Sequence, residues 1–455
     1  MHRHDTIAAI STAPGIAGIA VIRVSGPEAL PVTQHIFKGK KLSEQPSHTV
    51  HFGKIMEGEE LIDEVVVALF RAPHSYTREE VVEISCHGSV YVQQKILQLL
   101  LQAGARLALP GEFTQRAFLN GALNLSEAEA VADLIASESA ATHRLAMRQM
   151  RGGYTAAIRA LREALVGFAA LVELELDFSE EDVQFANRRQ LTDLVARIDR
   201  EVLQLLESFR MGNAIRRGVT TVIAGLPNAG KSTLLNALLQ EERAIVSPIP
   251  GTTRDTIEEI LHIGGIPFRL TDTAGIRESA DTIEQAGVQR TLEKVKEAVL
   301  VIYLFDVNTQ DPQELQGTLV GLQTADNHLI PLGNKTDLLA SASRLDAFRA
   351  IPGVLFLSAA HEPDLEPLKR RLLEAVAGQA PRENDLVVSN VRHAEAFRRT
   401  HELLISIGES LSTGLSGELL SQQIREALGA LGSITGEVSA DEILGAIFVR
   451  FCIGK

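Results

Sequence analysis

The sequence contains no tryptophan, only two cysteines, and aromatic side chains at only 4% of its 455 positions. Two cysteines this far apart, Cys86 and Cys452, are too few for a metal cluster and are typical of a protein in a reducing cytosol. No apolar run is long enough to span a bilayer, and the opening MHRHDTIAAISTAPG lacks the pattern of a secretory signal. The net charge of −14 argues against a protein that wraps nucleic acid through its overall field. We therefore expect a cytoplasmic protein without a membrane segment, whose contact with RNA is local or shared with a more basic partner.

The chain is longer than one ordinary hydrophobic core requires, which indicates two or three domains. Residues 1–120 combine β-branched runs with the helical segment YVQQKILQLLLQAG and predict an α+β domain. Residues 121–212 and 381–455 have helical periodicity, and SEAE has the capping-box spacing at Ser126. Strands alternate with helices over 213–380, which predicts a mainly parallel sheet covered on both faces. The predicted fold is multidomain, α/β and α+β, with the α/β domain inserted into a discontinuous helical domain.

The segment GLPNAGKS has the spacing of a phosphate-binding loop between an apolar strand and a helix. Gly225 and Gly230 let backbone N–H groups curl around phosphates, Lys231 reaches the terminal phosphates, and the Ser232 hydroxyl binds Mg²⁺. Downstream, LTDTAG ends another apolar strand and places the Asp272 carboxylate near Mg²⁺. These two motifs together predict a nucleoside triphosphatase.

The segment PLGNKTD indicates which base is bound. It places Asn334, Lys335 and Asp337 in the N-K-x-D spacing of guanine-binding GTPases, and the Asp337 carboxylate can accept from the N1–H and 2-amino groups of guanine. The segment FLSAA, with Ser358 and Ala359, fits the loop that contacts the base oxygen. The sequence therefore predicts a GTPase domain.

The catalytic group for hydrolysis is less evident, because Ile276 stands where Ras-like GTPases have a glutamine that orients water. Three acidic residues nearby are either candidates for that role or solvated charges on a loop: Glu278, Asp281 and Glu284. Two arginines, Arg254 and Arg277, are likewise either arginine fingers or surface charges. The segment IVSPIPGTTRD offers hydroxyl groups near Mg²⁺, and its carbonyl groups with the Asn228 side chain can hold a monovalent cation that replaces an arginine finger.

Taken together, these segments resemble the bacterial and organellar tRNA-modification GTPases of the MnmE (TrmE) family. The resemblance extends from DTIAAISTAPGIAGIAVIRVSG through PGEFTQRAFLNGALNLSEAEAVADLI and DTAGIR to the closing FCIGK. It implies an N-terminal folate-binding domain that forms a homodimer, a helical domain, and an inserted G domain that pairs with another G domain during turnover.

The resemblance also implies a reaction. With the FAD- and NADH-using partner MnmG, in a heterotetramer, the family adds an aminomethyl or carboxymethylaminomethyl group to C5 of the wobble uridine of tRNA. The carbon comes from a tetrahydrofolate derivative, methylene- or 5-formyltetrahydrofolate, and the nitrogen comes from ammonium or glycine.

Site residues follow by matching position. The motifs and the resemblance assign GTP contacts to Asn228, Ala229, Gly230, Lys231, Ser232, Thr233, Ser247, Pro248, Ile249, Pro250, Gly251, Thr252, Thr253, Asp272, Thr273, Ala274, Gly275, Asn334, Lys335, Asp337, Ser358, Ala359 and Ala360. The resemblance assigns Mg²⁺ to Ser232 and Thr253, and K⁺ to Asn228, Ser247, Ile249 and Thr252. It assigns Glu284 to the orientation of the attacking water.

The resemblance implies folate contacts at Arg23, Glu83 and Lys455. A pterin presents an amino-pyrimidine edge to a carboxylate, and its glutamate tail requires cations. One departure is visible, because the family usually has a lysine where this sequence has Ala122. Cys452 is either a small buried apolar residue or, as the resemblance implies, a catalytic residue at the folate and tRNA site that attacks C6 of uridine or transfers protons.

Two other functions fit part of the sequence. An Era-like regulatory or ribosome-assembly switch would share every G motif without folate chemistry, but it predicts a basic RNA-binding appendage. A purely structural activator would supply only GTP-driven movement to a partner that performs all of the tRNA chemistry.

Overall fold

The structure is a computed structural model that describes residues 5–177, 188–243, 258–272, 294–295, 298–324, 327–339, 341, 343–361, 364–377, 386–413, 417–437, 447–448, 451 and 454. The chain divides into two compact units. The first contains residues 1–136, 148–186 and 415–455, and the second contains 137–147 and 187–414. None of the described helices has the length and apolarity that a membrane span requires.

The first unit is built on a seven-stranded sheet with the order β3-β4-β5-β6-β2-β1-β7. Its strands are β1 (Ile7–Ile10), β2 (Ala17–Ser25), β3 (Phe37–Lys38), β4 (Thr49–Glu57), β5 (Glu60–Phe70), β6 (Val81–Gly88) and β7 (Arg106–Leu107). Neighbouring strands are antiparallel except β1 and β7, which are parallel. Alternation along β6 buries Val82, Ile84 and Cys86 in the core. The intervening residues of β6 therefore face the opposite side of the sheet.

Seven of the described α-helices lie wholly or partly in the first unit: α1 (Ala29–Ile36), α2 (Val90–Gln102), α3 (Glu112–Leu119), α4 (Leu125–Ile135), α5 (Ala140–Met150), α6 (Thr155–Asp177) and, late in the chain, Gly417–Thr435. Helices α1 and α2 contribute to the same core as the sheet, through residues such as Ile36 and Ile96. The predicted capping box at Ser126 is wrong by two residues. Asn124 caps α4 and accepts from the Glu127 N–H, because its side-chain oxygen is already in position when the helix begins at Leu125.

A partly buried ion network joins Asp5, just before β1, to Arg106 of β7 and to α3. The Arg116 side chain, only 9% exposed, contacts the carboxylates of Asp5 at 2.6 Å, Glu112 at 3.1 Å and Glu79 at 3.3 Å. Arg106 bonds Asp5 at 2.7 Å and Glu112 at 2.6 Å. Burial raises the pKa of the Asp5 and Glu112 carboxyls, but bonds from these arginines outweigh burial and place each pKa below its ordinary value.

The second unit contains a six-stranded sheet with the order β13-β12-β11-β8-β10-β9. Its strands are β8 (Val219–Ala224), β9 (Glu258–Ile263), β10 (Ile266–Asp272), β11 (Leu300–Asp306), β12 (His328–Asn334) and β13 (Leu355–Phe356). All neighbours are parallel except β9 and β10. Consecutive residues of β11 enter two different cores, Leu304 on one face and Phe305 on the other. Both faces are therefore covered, as the apolar run LVIYLF predicts.

The helices of the second unit are α7 (Arg188–Glu207), α8 (Phe209–Arg217), α9 (Lys231–Arg243), α10 (Pro312–Leu322), α11 (Ser343–Arg349), α12 (Glu366–Ala377) and α13 (Val391–Thr413); the Gly417–Thr435 helix of the first unit is α14. Helix α13 packs against α7, and in the first unit α14 packs against α6. Each pair joins a helix that precedes the α/β block to one that follows it. The mainly parallel inserted sheet and the α+β N-terminal region confirm the predicted fold class, and the domain boundaries at 120, 212 and 380 stay a prediction.

Candidate functional site

The phosphate-binding loop follows β8 and ends where α9 begins at Lys231. Gly225 has a φ of +148°, and a Cβ added there would lie 2.1 Å from the Leu304 carbonyl oxygen. Gly230 has a φ of +101°, and a Cβ there would lie 2.3 Å from Asn334 Nδ2. Both positions require glycine, because a side chain would collide with the neighbouring strand or with the asparagine that supports the loop.

The middle of this loop combines a left-handed residue, a buried residue and a bonded lysine. Asn228 adopts a φ of +61°, and the following Ala229 is buried. The Lys231 ammonium donates to the carbonyl oxygens of Gly225 at 2.9 Å and Leu226 at 3.1 Å. A positively charged group on a left-handed glycine-rich turn fits a phosphate, which would replace these carbonyls as acceptor of the Lys231 N–H groups.

Asn334 joins the phosphate loop to the predicted base loop. It ends β12, and its side chain is 3% exposed. Its Nδ2 donates to the Ala229 carbonyl oxygen at 2.8 Å, and its Oδ1 accepts from the Ala359 backbone N–H at 2.9 Å. The sequence motif alone did not predict this bridging role. The two loops therefore hold each other through one amide.

Asp337, which is predicted to bind guanine, is contacted by residues of the base loop. The Ser358 hydroxyl donates to its Oδ1 at 2.5 Å, and His361 Nε2 lies 3.7 Å from its Oδ2. Both contacts orient the carboxylate at the carboxyl end of the parallel sheet, where ligands of open α/β sheets bind. Sequence reasoning missed His361, because nothing in its neighbours distinguishes it from an exposed loop residue.

Lys335 is fixed by a carboxylate that sequence reasoning also missed. It adopts a left-handed φ of +62°, and its ammonium pairs with Asp306 at 2.9 Å. Burial raises the pKa of the Asp306 carboxyl, but the bonds from Lys335 and Asn308 outweigh burial and lower it below its ordinary value. The signal was present, because Asp306 ends the apolar strand β11. A carboxylate there keeps the lysine stem in place beside the loop.

The predicted folate contacts lie in the first unit, on neighbouring strands. Arg23 of β2 is directly opposite Glu83 of β6. Its Nε donates to Glu83 Oε1 at 2.9 Å, and its Nη2 lies 2.8 Å from the same oxygen. The guanidinium carbon also lies 5.3 Å from the ring centre of Tyr76 and 5.6 Å from that of Phe113. An ordered carboxylate with a second oxygen outside this bond fits an amino-pyrimidine edge.

The C-terminal segment docks on the strand next to Arg23. The Ser11 hydroxyl donates to the Gly454 carbonyl oxygen at 3.0 Å, and a Cβ added at Gly454, whose φ is +98°, would lie 2.2 Å from the Ile10 carbonyl oxygen. Phe451 is buried with Leu125. The described part of the terminus is therefore held by the N-terminal region, and Arg23 pairs with Ala9 of the same strand β1.

The structure joins the phosphate and base loops through Asn334. The predicted residues of these loops that it describes are Asn228, Ala229, Gly230, Lys231, Ser232, Thr233, Asn334, Lys335, Asp337, Ser358, Ala359 and Ala360. Asp272 ends β10, the neighbour of β8, although its side chain lies outside the described part. The remaining predicted residues also lie outside the described residues: Ser247, Pro248, Ile249, Pro250, Gly251, Thr252, Thr253, Thr273, Ala274, Gly275, Glu284, Cys452 and Lys455.

Comparisons with known proteins cover nearly the whole chain. Residues 6–122 match the family model of the GTP-binding protein TrmE N-terminus, and residues 125–452 match that of the MnmE helical domain. The chain is 51% identical to the tRNA modification GTPase MnmE of Cytophaga hutchinsonii, covering 99% of this chain and 98% of that protein. It is 49% identical to the protein of the same name from Christiangramia forsetii, covering all of both chains. Among solved structures, Aquifex aeolicus Era bound to GDP and aluminium fluoride is 23% identical over 41% of this chain and 67% of that chain, with a TM-score of 0.29.

Proposed function

Because this chain belongs to the MnmE family of tRNA modification GTPases, we propose that it couples GTP hydrolysis to the modification of a wobble uridine. In this proposal the chain works with an FAD-dependent partner, MnmG. Together they add an aminomethyl or carboxymethylaminomethyl group to C5 of the uridine with the one-carbon unit of a tetrahydrofolate.

One observation carries the GTPase part of the proposal. Asn334 bonds both the phosphate loop at Ala229 and the base loop at Ala359, so one side chain holds together the two loops that we propose bind the phosphates and the base. Asp337, positioned by Ser358, supplies the acceptor pair that guanine satisfies and adenine does not. Lys231 then binds the terminal phosphates.

Metal ions and the water-orienting group complete the proposed G site. Mg²⁺ would be bound by the hydroxyls of Ser232 and Thr253, and it would neutralise charge that develops on the phosphates. K⁺ would be bound by Asn228, Ser247, Ile249 and Thr252. The loop supports this assignment, because Gly225, Asn228 and Gly230 have positive φ angles, and turns of this kind direct backbone N–H groups toward a bound anion. Glu284 would orient the attacking water, and pairing of G domains would order the loops around it.

The proposed folate site uses the Arg23 and Glu83 pair. The guanidinium holds the carboxylate in one orientation, and the carboxylate accepts from the amino-pyrimidine edge of the pterin. Lys455 would add a cation for the glutamate tail. The docking of Gly454 on Ile10 and Ser11 supports this role, because it holds the terminus beside strand β1. In the sheet, Ala9 of β1 is the residue opposite Arg23. Cys452 belongs to the same segment and is proposed to act on the uridine.

The proposal includes an assembly. The N-terminal domain, residues 1–120, would form the homodimer, and residues 213–380 would be the G domain. A homodimer of this chain and a homodimer of the partner would together form a heterotetramer. The cytoplasm is the proposed location, since GTP, folate and tRNA are all available there.

The proposal is tested by reconstitution. The protein is incubated with its FAD-dependent partner, unmodified tRNA, GTP, K⁺, methylenetetrahydrofolate, NADH and glycine. The tRNA is then digested to nucleosides, and the mass of each nucleoside is measured. A mass gain on the wobble uridine that requires this chain is the expected result. Replacing K⁺ by Na⁺ at equal ionic strength tests the cation, and Glu284→Ala and Cys452→Ser test the two catalytic assignments. No gain, with the partner active beside a known homologue, would reject the proposed function.

A further inference from the structure

The segment Asn120–Ala122 faces an arginine in an unusual backbone conformation. Arg78 lies between the strands β5 and β6 and has a φ of +59°, in the left-handed region that residues with a side chain seldom adopt. A glycine would occupy this conformation without strain. Strained residues of this kind are concentrated at positions where the side chain has a binding role.

The two segments hold each other through reciprocal bonds. Arg78 Nη1 donates to the Asn120 carbonyl oxygen at 3.1 Å, and Asn120 Nδ2 donates to the Thr77 carbonyl oxygen at 2.7 Å. A Cβ added at Gly121 would lie 3.4 Å from Arg78 Nη1. The guanidinium therefore lies beside Gly121, the residue that precedes Ala122.

The charge of Arg78 is not neutralised by a neighbour within the described ranges. The one described bond of its guanidinium goes to the neutral Asn120 carbonyl group, and no carboxylate of those ranges pairs with it. The adjacent Glu79 is already engaged, because it contacts Arg116 at 3.3 Å and accepts from the Ser25 hydroxyl at 2.7 Å. An exposed guanidinium without a carboxylate partner is suited to bind an external anion.

The same two elements carry the proposed folate pair. Tyr76, two residues before Arg78, lies under the Arg23 guanidinium, and the second ring under it, Phe113, belongs to α3, which ends at Leu119 just before Asn120. Arg78 therefore lies two residues after one of the rings that contact Arg23, and it bonds Asn120, which follows the helix that carries the other ring.

We propose that Arg78 supplies the cation that binds the glutamate-tail carboxylate of a folate in this protein, in place of the lysine that Ala122 does not provide. This inference rests on the proposed folate binding. It identifies a ligand-binding residue of this chain and predicts that position 78 and position 122 are interchangeable sources of one charge.

The test measures the affinity of 5-formyltetrahydrofolate, with one glutamate and with three, for the full-length protein by titration calorimetry. The variants are Arg78→Gln, Arg78→Gly, Ala122→Lys and the double variant Arg78→Gln with Ala122→Lys. Lys54→Gln is the matched control, because it removes an exposed positive charge from β4 of the same unit, where Lys54 lies 3.6 Å from Glu64. Thermal unfolding confirms that each variant is folded, and Arg78→Gly keeps the test valid if glutamine is poorly tolerated at this φ.

We expect Arg78→Gln and Arg78→Gly to weaken binding about tenfold, the scale of one charge-assisted contact. The loss should be larger for the triglutamate, and the double variant should recover the affinity. The wild-type affinity should also fall more steeply with salt than that of Arg78→Gln. Equal affinity of wild type and both Arg78 variants would overturn the inference, and so would a loss that Ala122→Lys does not repair or that Lys54→Gln reproduces. If the wild type binds neither folate, the proposed function itself fails at this site.

Discussion

Replacing Asn334 by alanine tests whether one amide couples the phosphate loop to the base loop. The substitution removes the bond to the Ala229 carbonyl at 2.8 Å and the bond from the Ala359 N–H at 2.9 Å. Ala229 and Ala359 are 2% and 5% exposed, so water reaches their released backbone groups poorly. Each lost bond contributes about 1 kcal/mol, and each buried group left without a partner adds to that cost. Nucleotide binding must then restore the arrangement of the two loops, which lowers the binding free energy by up to about 2–3 kcal/mol, or about 30- to 150-fold in affinity.

Asn327 offers a matched control beside the same strand, β12. It lies immediately before β12, at the end opposite Asn334, and is 4% exposed. It also makes two side-chain bonds of ordinary length, donating to the Leu322 carbonyl oxygen at 2.9 Å and accepting from the Thr324 N–H at 3.1 Å. Asn327→Ala should therefore lower the free energy of unfolding by a similar amount without contacting either nucleotide loop.

The assay is a fluorescence titration of both variants with a labelled guanine nucleotide, beside urea unfolding of each. We expect both variants to lose stability and only Asn334→Ala to lose affinity on the predicted scale. Equal affinities of the two variants would refute the coupling and would assign Asn334 a role in stability alone.

Three further predictions concern the base, the terminus and acid stability. Asp337→Asn should reduce the preference for GTP over ATP, because an amide replaces an acceptor-only carboxylate, and competition titrations would show an unchanged preference if the assignment is wrong. Gly454→Ala should release the C-terminal segment, since a Cβ would lie 2.2 Å from the Ile10 carbonyl oxygen. Carboxypeptidase should then remove terminal residues faster. Gly408→Ala is the control that should not change this rate, because the space around its Cβ is open. The first unit should lose stability as pH falls below 4.5, the ordinary pKa of a glutamate such as Glu112, and further below 3.8, the ordinary pKa of an aspartate such as Asp5, because the pKa of each is lower in the folded state. The stability that these two groups contribute is fully present above those pH values. If the free energy of unfolding in urea does not change between pH 5 and 3, the contribution of the ion network is contradicted.

Local sequence patterns predicted the candidate G site to the level of its loops. The spacing of Gly225, Gly230 and Lys231 between an apolar strand and a helix is sufficient to predict the phosphate loop, because close backbone approach to a phosphate permits few other residues. The N-K-x-D and SA segments follow two more apolar strands, and carboxyl ends of parallel strands meet at one edge. The fold class followed from the same periodicities.

Partnerships between distant segments depended on the tertiary structure. Asn334 bridges Ala229 and Ala359, and Asp306 pairs with Lys335, although no local pattern distinguishes these roles from ordinary polar residues at the ends of strands. The capping box of α4 shows the same limit at short range, since both SEAE and NLSE fit the spacing and the start of the helix decides between them.

The sequence by itself determined the elements, the nucleotide motifs and the family, because each depends on residue types at short, fixed spacings. Only the tertiary structure decided that Gly454 docks on Ile10, that Arg116 joins three carboxylates, and that Arg78 lies beside Asn120. These contacts join residues 37 or more positions apart, apart from the Arg116 bond to Glu112 within one helix. Chain folding sets such distances through the packing of whole elements, and local spacing carries no information about that packing.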